Sequence, residues 1–137
     1  MAYWLMKSEP ETWSWDDQLR DGTTHWDGVR NHQAANNLKA MKRGDKAFFY
    51  HSGAERRIVG IVEIVKEYYP DPTDPSGRFG MVDVKAVKSL EKPVTLREIK
   101  AEPRLSELPL IRQSRLSVMP IGERDWKTIL ALGGTKA

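Results

Sequence analysis

At 137 residues, with 22 Lys and Arg against 19 Asp and Glu for a net charge of +3, the chain is the size of one compact domain, and its charge balance permits a nucleic-acid partner without demanding one. The lack of cysteine excludes a disulfide framework and a thiolate-bound zinc, and no apolar run approaches the roughly 20 residues of a membrane-spanning helix. With no signal-like start, the expectation is a single domain over residues 1–137, cytoplasmic, not bound to membranes and monomeric.

Tyr3-Trp4-Leu5-Met6-Lys7 is a run of strand formers, stopped at Ser8-Glu9-Pro10 because proline cannot donate to a ladder. Ser14 stands three residues before Asp17, a capping-box spacing that predicts a short helix from Trp15 to Leu19, with Trp13 and Trp15 packing it down. Thr23 to Trp26 reads as a brief extended segment. From His32 to Arg43, Ala35, Leu38 and Met41 recur at helical spacing, with Asn31 suited to the N-cap and Gly44 to the stop. Asp45 to His51 and the β-branched run Arg57 to Tyr69 read as an antiparallel hairpin in which Gly60 marks a bulge or bend.

Three prolines between Pro70 and Gly77 dictate a loop, in which Asp71 and Asp74 read as turn residues. Phe79 to Val87 alternates as a further strand. Thr95 and Glu98 form a second capping box ahead of a short helix, and Pro109-Leu110-Ile111 reads as extended or turn. Ser114 to Pro120 is strand-like, and Glu123 to Leu132 is a final helix with Trp126, Ile129 and Leu130 on one face. Short strands interspersed with helices, without a βαβ rhythm, predict an α+β fold: a small mixed β-barrel with peripheral helices.

Catalytic signatures are lacking: there is no nucleophile elbow, phosphate loop, dinucleotide fingerprint or His-Glu-x-x-His pair, and three scattered histidines do not make a metal site. No catalytic residue, metal or cofactor is therefore expected. What remains is polar and aromatic residues at the ends of elements, which a small barrel gathers on one rim. Trp26-Asp27-Gly28-Val29-Arg30-Asn31 leads this set. Trp26 offers a flat stacking face and Asn31 a donor and an acceptor in one plane. Trp26 as a core anchor and Asn31 as a plain helix cap are equally good readings of the same residues. Ser8, Tyr50, His51, Ser52 and Ser117 complete the expected pocket, with the basic residues Arg30, Lys39, Lys42, Arg43 and Arg115 expected on its rim.

Lys7-Ser8-Glu9-Pro10, Trp26 to Asn31 with Gln33-Ala34 and Asn36-Asn37-Leu38, Phe48 with Tyr50-His51-Ser52, Ile58-Val59-Gly60-Ile61, Tyr69-Pro70-Asp71 and Leu116-Ser117-Val118 resemble, in order, the signature segments of the EVE domain family. The resemblance covers nearly the whole chain. It implies a PUA-like barrel related to the YTH domain, which reads methylated adenine in RNA, and hence a non-catalytic module for a modified, methylated base in DNA or RNA. Trp26, Asn31 and Ser8 or Ser117 would then supply the stacking surface and edge contacts that a flipped base needs, and Arg30, Lys39, Lys42, Arg43 and Arg115 would meet phosphates on the rim. Two other classes remain open: an enzyme acting on a small heterocycle or modified nucleotide, and a protein-interaction module.

Overall fold

In the computed structural model, which describes residues 1–136, the chain runs β1 (Tyr3–Ser8), α1 (Trp15–Asp21), β2 (Thr23–His25), α2 (His32–Ala40), β3 (Lys46–His51), β4 (Arg57–Pro70), β5 (Gly80–Thr95), α3 (Leu96–Ala101), a 3-10 turn (Pro103–Leu105), α4 (Pro109–Arg112), β6 (Val118–Ile121) and α5 (Glu123–Leu132). The six strands form one sheet in the order β2-β5-β4-β3-β1-β6. β1 and β3 are parallel, and every other neighbouring pair is antiparallel.

The α+β class expected from the sequence is observed, but the sheet is open and not a closed barrel. Its end strands are short, three residues in β2 and four in β6. In place of a closing ladder, α2 packs against both β5 and β6. From α2, Asn37 donates a side-chain hydrogen bond of 2.7 Å to the Val118 carbonyl, satisfying a backbone group on the free edge of β6.

Both capping boxes form as expected, Ser14 with Asp17 and Thr95 with Glu98. α2 ends at Ala40, earlier than its periodicity suggests. Met41 is extended, and the Lys42 amide donates to the buried Asp45 carboxylate at 2.9 Å, not back into the helix. β5 runs to Thr95 through Pro93, well past the expected end at Val87. Pro93 is tolerated because β2 pairs with β5 only over Asp83 to Lys85, so no second strand requires its missing N–H. Pro109 opens the short helix α4, and the strand expected from Ser114 begins only at Val118.

Trp126 of α5 stacks on both Tyr3 and Phe48, with ring centroids 4.4 and 3.9 Å away, and so fixes α5 to the start of β1 and the middle of β3. On the other side, Trp15 of α1 lies against Phe49 and donates its indole N–H to Ser89 at 2.8 Å. The ladder slips between Ile58 and Gly60, as the glycine suggests, and the same glycine admits the indole. A methyl group on Gly60 would stand 2.2 Å from Cζ2 of Trp15.

Asp71 secures the segment between β2 and α2. Its buried carboxylate accepts hydrogen bonds from the Gly28 amide at 2.9 Å, Arg30 Nη1 at 3.1 Å, and the Thr73 amide and hydroxyl at 2.7 and 2.6 Å. Gly28 takes φ 80° here, a conformation open to glycine at little cost. Burial opposes the charge on Asp71, but the Thr73 hydroxyl, the Gly28 and Thr73 amides and Arg30 outweigh it and hold the acid well below the ordinary carboxylate range.

Two stability predictions follow from these contacts. Gly60→Ala should destabilise the fold by about 1–3 kcal/mol, because the indole must be displaced, and should lower Tm by several degrees in a thermal melt. Because the Asp71 pKa is depressed by folding, its contribution should be fully present above the unfolded value of about 4 and decline as pH falls below it. Asp71→Asn should therefore flatten the acid limb of a stability–pH curve. An unchanged acid limb would show that Asp71 is not a principal linked group.

Candidate nucleic-acid interface

The parallel strands β1 and β3 end side by side, Ser8 opposite His51, and the Ser52 amide donates to the Ser8 carbonyl at 2.9 Å. Past Ser8 the chain folds back on itself. The amides of Thr12 and Trp13 both donate to the Glu9 carbonyl, while the Ser8 hydroxyl donates to the Trp13 carbonyl. Across from this turn, β2 brings up His25, and the Trp26 amide donates to the Val82 carbonyl at 2.8 Å. A cavity of about 500 Å³ opens between the two segments, with Lys7, Ser8, Glu9 and Trp13 on one wall and His25, Trp26 and Asp27 on the other.

Trp26 is a core residue that also borders the cavity. It is only 8% exposed and meets Phe49 edge-on at 5.5 Å, yet it forms part of the cavity wall. Trp13, expected only to pack α1 down, is the second aromatic wall. Its indole N–H donates to Gln18 at 2.9 Å, and the fully buried Gln18 donates in turn to the Gly22 carbonyl. The hint available in the sequence was the turn implied by Pro10, which returns Trp13 to the end of β1.

Tyr50 lies 3% exposed behind a neighbouring cavity together with Ser52, with the Lys7 ammonium 5.8 Å from its ring centroid. A register slip falls between Phe49 and Tyr50, and both residues are buried. His51 serves the framework: its Nε2 accepts the Trp15 amide at 2.9 Å, and its Nδ1 lies 2.9 Å from Glu55. With Nε2 accepting, Nδ1 is the ring nitrogen that donates to Glu55.

Asn31 caps α2, its side-chain oxygen accepting the Ala34 amide at 2.9 Å, and it lines a shallow depression with Gln33 and Arg115. Its amide nitrogen is not used by the cap. Ser117 lies beside β1, where its carbonyl accepts the Lys7 amide. Arg30 is engaged with Asp71 and Thr73. Lys39 lies over Tyr68 at 5.5 Å. Lys42 and Arg43 follow the far end of α2, where their amides donate to Asp45 and Glu67. That places them near the start of β1, roughly 17 Å of strand away from Ser8, so they are not on the cavity rim. Lys7, Glu9, Trp13, His25 and Asp27 line the cavity without having been singled out, because their convergence depends on the pairing of β1 with β3 and of β2 with β5.

Comparison with known proteins places this geometry in a family. An EVE domain profile matches residues 2–132. Thymocyte nuclear protein 1 of Rattus norvegicus is 40% identical over 164 aligned residues, covering 95% of this chain and 73% of the rat protein. The solution structure of a Rhodopseudomonas palustris protein superposes with a TM-score of 0.93 at 54% identity, over 98% of this chain and 94% of that one. Human THYN1, solved in complex with DNA containing 5-methylcytosine, superposes with a TM-score of 0.94 at 36% identity over the full length of both chains. A YTH domain from Zygosaccharomyces rouxii, at 19% identity and a TM-score of 0.60 over 96% of this chain and 86% of its own, shares the PUA-like fold. The chain is a member of the EVE domain family.

Proposed function

We propose that this protein is a non-catalytic reader of a modified base in nucleic acid, which takes an extruded base into the cavity between Trp13 and Trp26. The observation that carries this reading is that two aromatic walls and a set of hydrogen-bond acceptors face one cavity of about 500 Å³. An aromatic wall stacks any base and adds apolar contact for a methyl group. The acceptors narrow the choice. The Ser8 proton is committed to the Trp13 carbonyl, so its oxygen is left to accept, and Asp27 and Glu9 bring carboxylates. Acceptors match the exocyclic amine of cytosine or adenine, and a carboxylate accepting from cytosine N4 is a recurrent pairing. The human relative bound to 5-methylcytosine DNA supports the same choice.

A second reading, chemistry on the bound base, is favoured by one specific observation. Glu9, His25 and Asp27 line the same cavity, giving it acids and a base that the sequence did not reveal. Mass spectrometry of a modified oligonucleotide recovered after incubation distinguishes the two readings. An unchanged mass is expected for a reader, and a changed base would establish an enzyme.

Trp13→Ala is the more informative aromatic variant, because Trp26 is also part of the core. It should weaken binding of a 5-methylcytosine oligonucleotide by about ten- to a hundredfold, the equivalent of roughly 1–3 kcal/mol for a lost stacking platform. Trp26→Phe should give a smaller loss. Fluorescence anisotropy against matched DNA and RNA, with and without methylated cytosine or adenine, checks this. If Trp13→Ala and Trp26→Phe both keep the wild-type ratio of modified to unmodified affinity, the cavity is not where the base is read.

A further inference from the structure

Lys7 lines two cavities. On one side is the base pocket, and on the other a space of about 430 Å³ bounded by Tyr50, Ser52, Arg56, Lys100 and Ser114. The charge divides between them. Glu9 and Asp27 belong to the first, whereas the second gathers Lys7, Arg56 and Lys100. Some nearby cations are paired, Arg57 with Glu55, Lys92 with Glu98 and Arg112 with Glu107, while Arg97 and Arg115 flank the cavity without an ion pair among the described residues. Among the described residues, Lys7, Arg56 and Lys100 form no ion pair.

Lys7 is half-buried, and its ammonium makes a hydrogen bond of 2.9 Å to the Ser114 carbonyl. Burial lowers its pKa, so an anion beside it would relieve a desolvation cost that no carboxylate now offsets. Arg56 holds a left-handed backbone, φ 49°, the only non-glycine residue with positive φ among those described, and its Nε donates to the Gly53 carbonyl.

We propose that the second cavity is a phosphodiester site, through which the backbone of the bound strand leaves the base pocket past Lys7 and between Arg56 and Lys100. This rests on the base-reading function above and assigns the strand a direction across the surface. Acidic groups stay at the base edge, where amines need acceptors. The cations stand one step along the chain, where the next phosphates fall, and such contacts position a strand without reading its sequence.

The test is the double variant Arg56→Gln/Lys100→Gln, set against a charge-matched control on α5, Arg124→Gln/Lys127→Gln. Affinity is measured by anisotropy on single strands with one 5-methylcytosine and on unmodified twins, across a salt series. The groove variant should bind both strands about tenfold more weakly at low salt. Its slope of log affinity against log salt should be shallower by about 1.4, roughly 0.7 for each lost phosphate contact. The modified-to-unmodified ratio should not change, and Arg56→Lys/Lys100→Arg should restore most of the affinity. Lys100→Gln alone, at an exposed position on α3, should show about half the slope change and supplies the reading if the double variant does not fold. Wild-type affinity and slope in the groove variants, with base preference intact, would overturn the phosphate path alone. An equal loss in the α5 control would also overturn it. Absence of any base preference in the wild-type protein would overturn the base-reading function and this path with it.

Discussion

Asp71 is charged, buried and reached by donors from Gly28 and Arg30, forty-three and forty-one positions earlier in the chain, and the placement of the cavity wall follows from that arrangement. A buried carboxylate is tolerated only when its oxygens are satisfied, so the loop around Gly28 and Arg30 and the turn at Thr73 must meet at one distance and orientation. Trp26 lies two residues before Gly28 and is fixed from behind by Phe49. The wall therefore stands on a polar anchor at one end and an aromatic one at the other. At the opposite end of β1, Asp45 plays the corresponding part, accepting from the Trp4 indole, the Ala2 amide and the Lys42 amide.

Local chemistry was readable wherever it was self-contained. The two capping boxes, the N-cap at Asn31, the bulge at Gly60 and the extent of α5 depend on residues within a turn of one another, and each appears where the sequence places it. The misreadings arose where a distant partner decides the outcome. α2 stops early because Asp45 captures an amide, β5 continues through Pro93 because no strand lies on its other side there, and the sheet stays open because α2 occupies the gap. Asp71 looked like an ordinary residue of a proline-rich turn, since nothing local shows that it faces Gly28 and Arg30.

The same distinction governs the site. Ser8 and Trp26 could be picked out as polar or aromatic residues at the ends of elements. Trp13 could not, because its return to the cavity depends on a turn closed by hydrogen bonds to Glu9 and Ser8. The separation of acidic from basic side chains about Lys7 is likewise invisible in a net charge of +3. A modest total conceals two adjoining regions of different character, one carrying Glu9 and Asp27 and the other Arg56 and Lys100.

The wedge of Trp15 into β4 at Gly60 has a kinetic implication. That indole is fixed by the Ser89 hydroxyl, its backbone amide by His51, and Trp13 two residues earlier by Gln18. The aromatic wall has therefore already lost its conformational freedom when the protein folds, and little remains to be ordered when a base arrives. Under the base-reading function proposed above, an already extruded base meets a surface ordered in advance, and differences in affinity among bases then reside chiefly in how long each one stays.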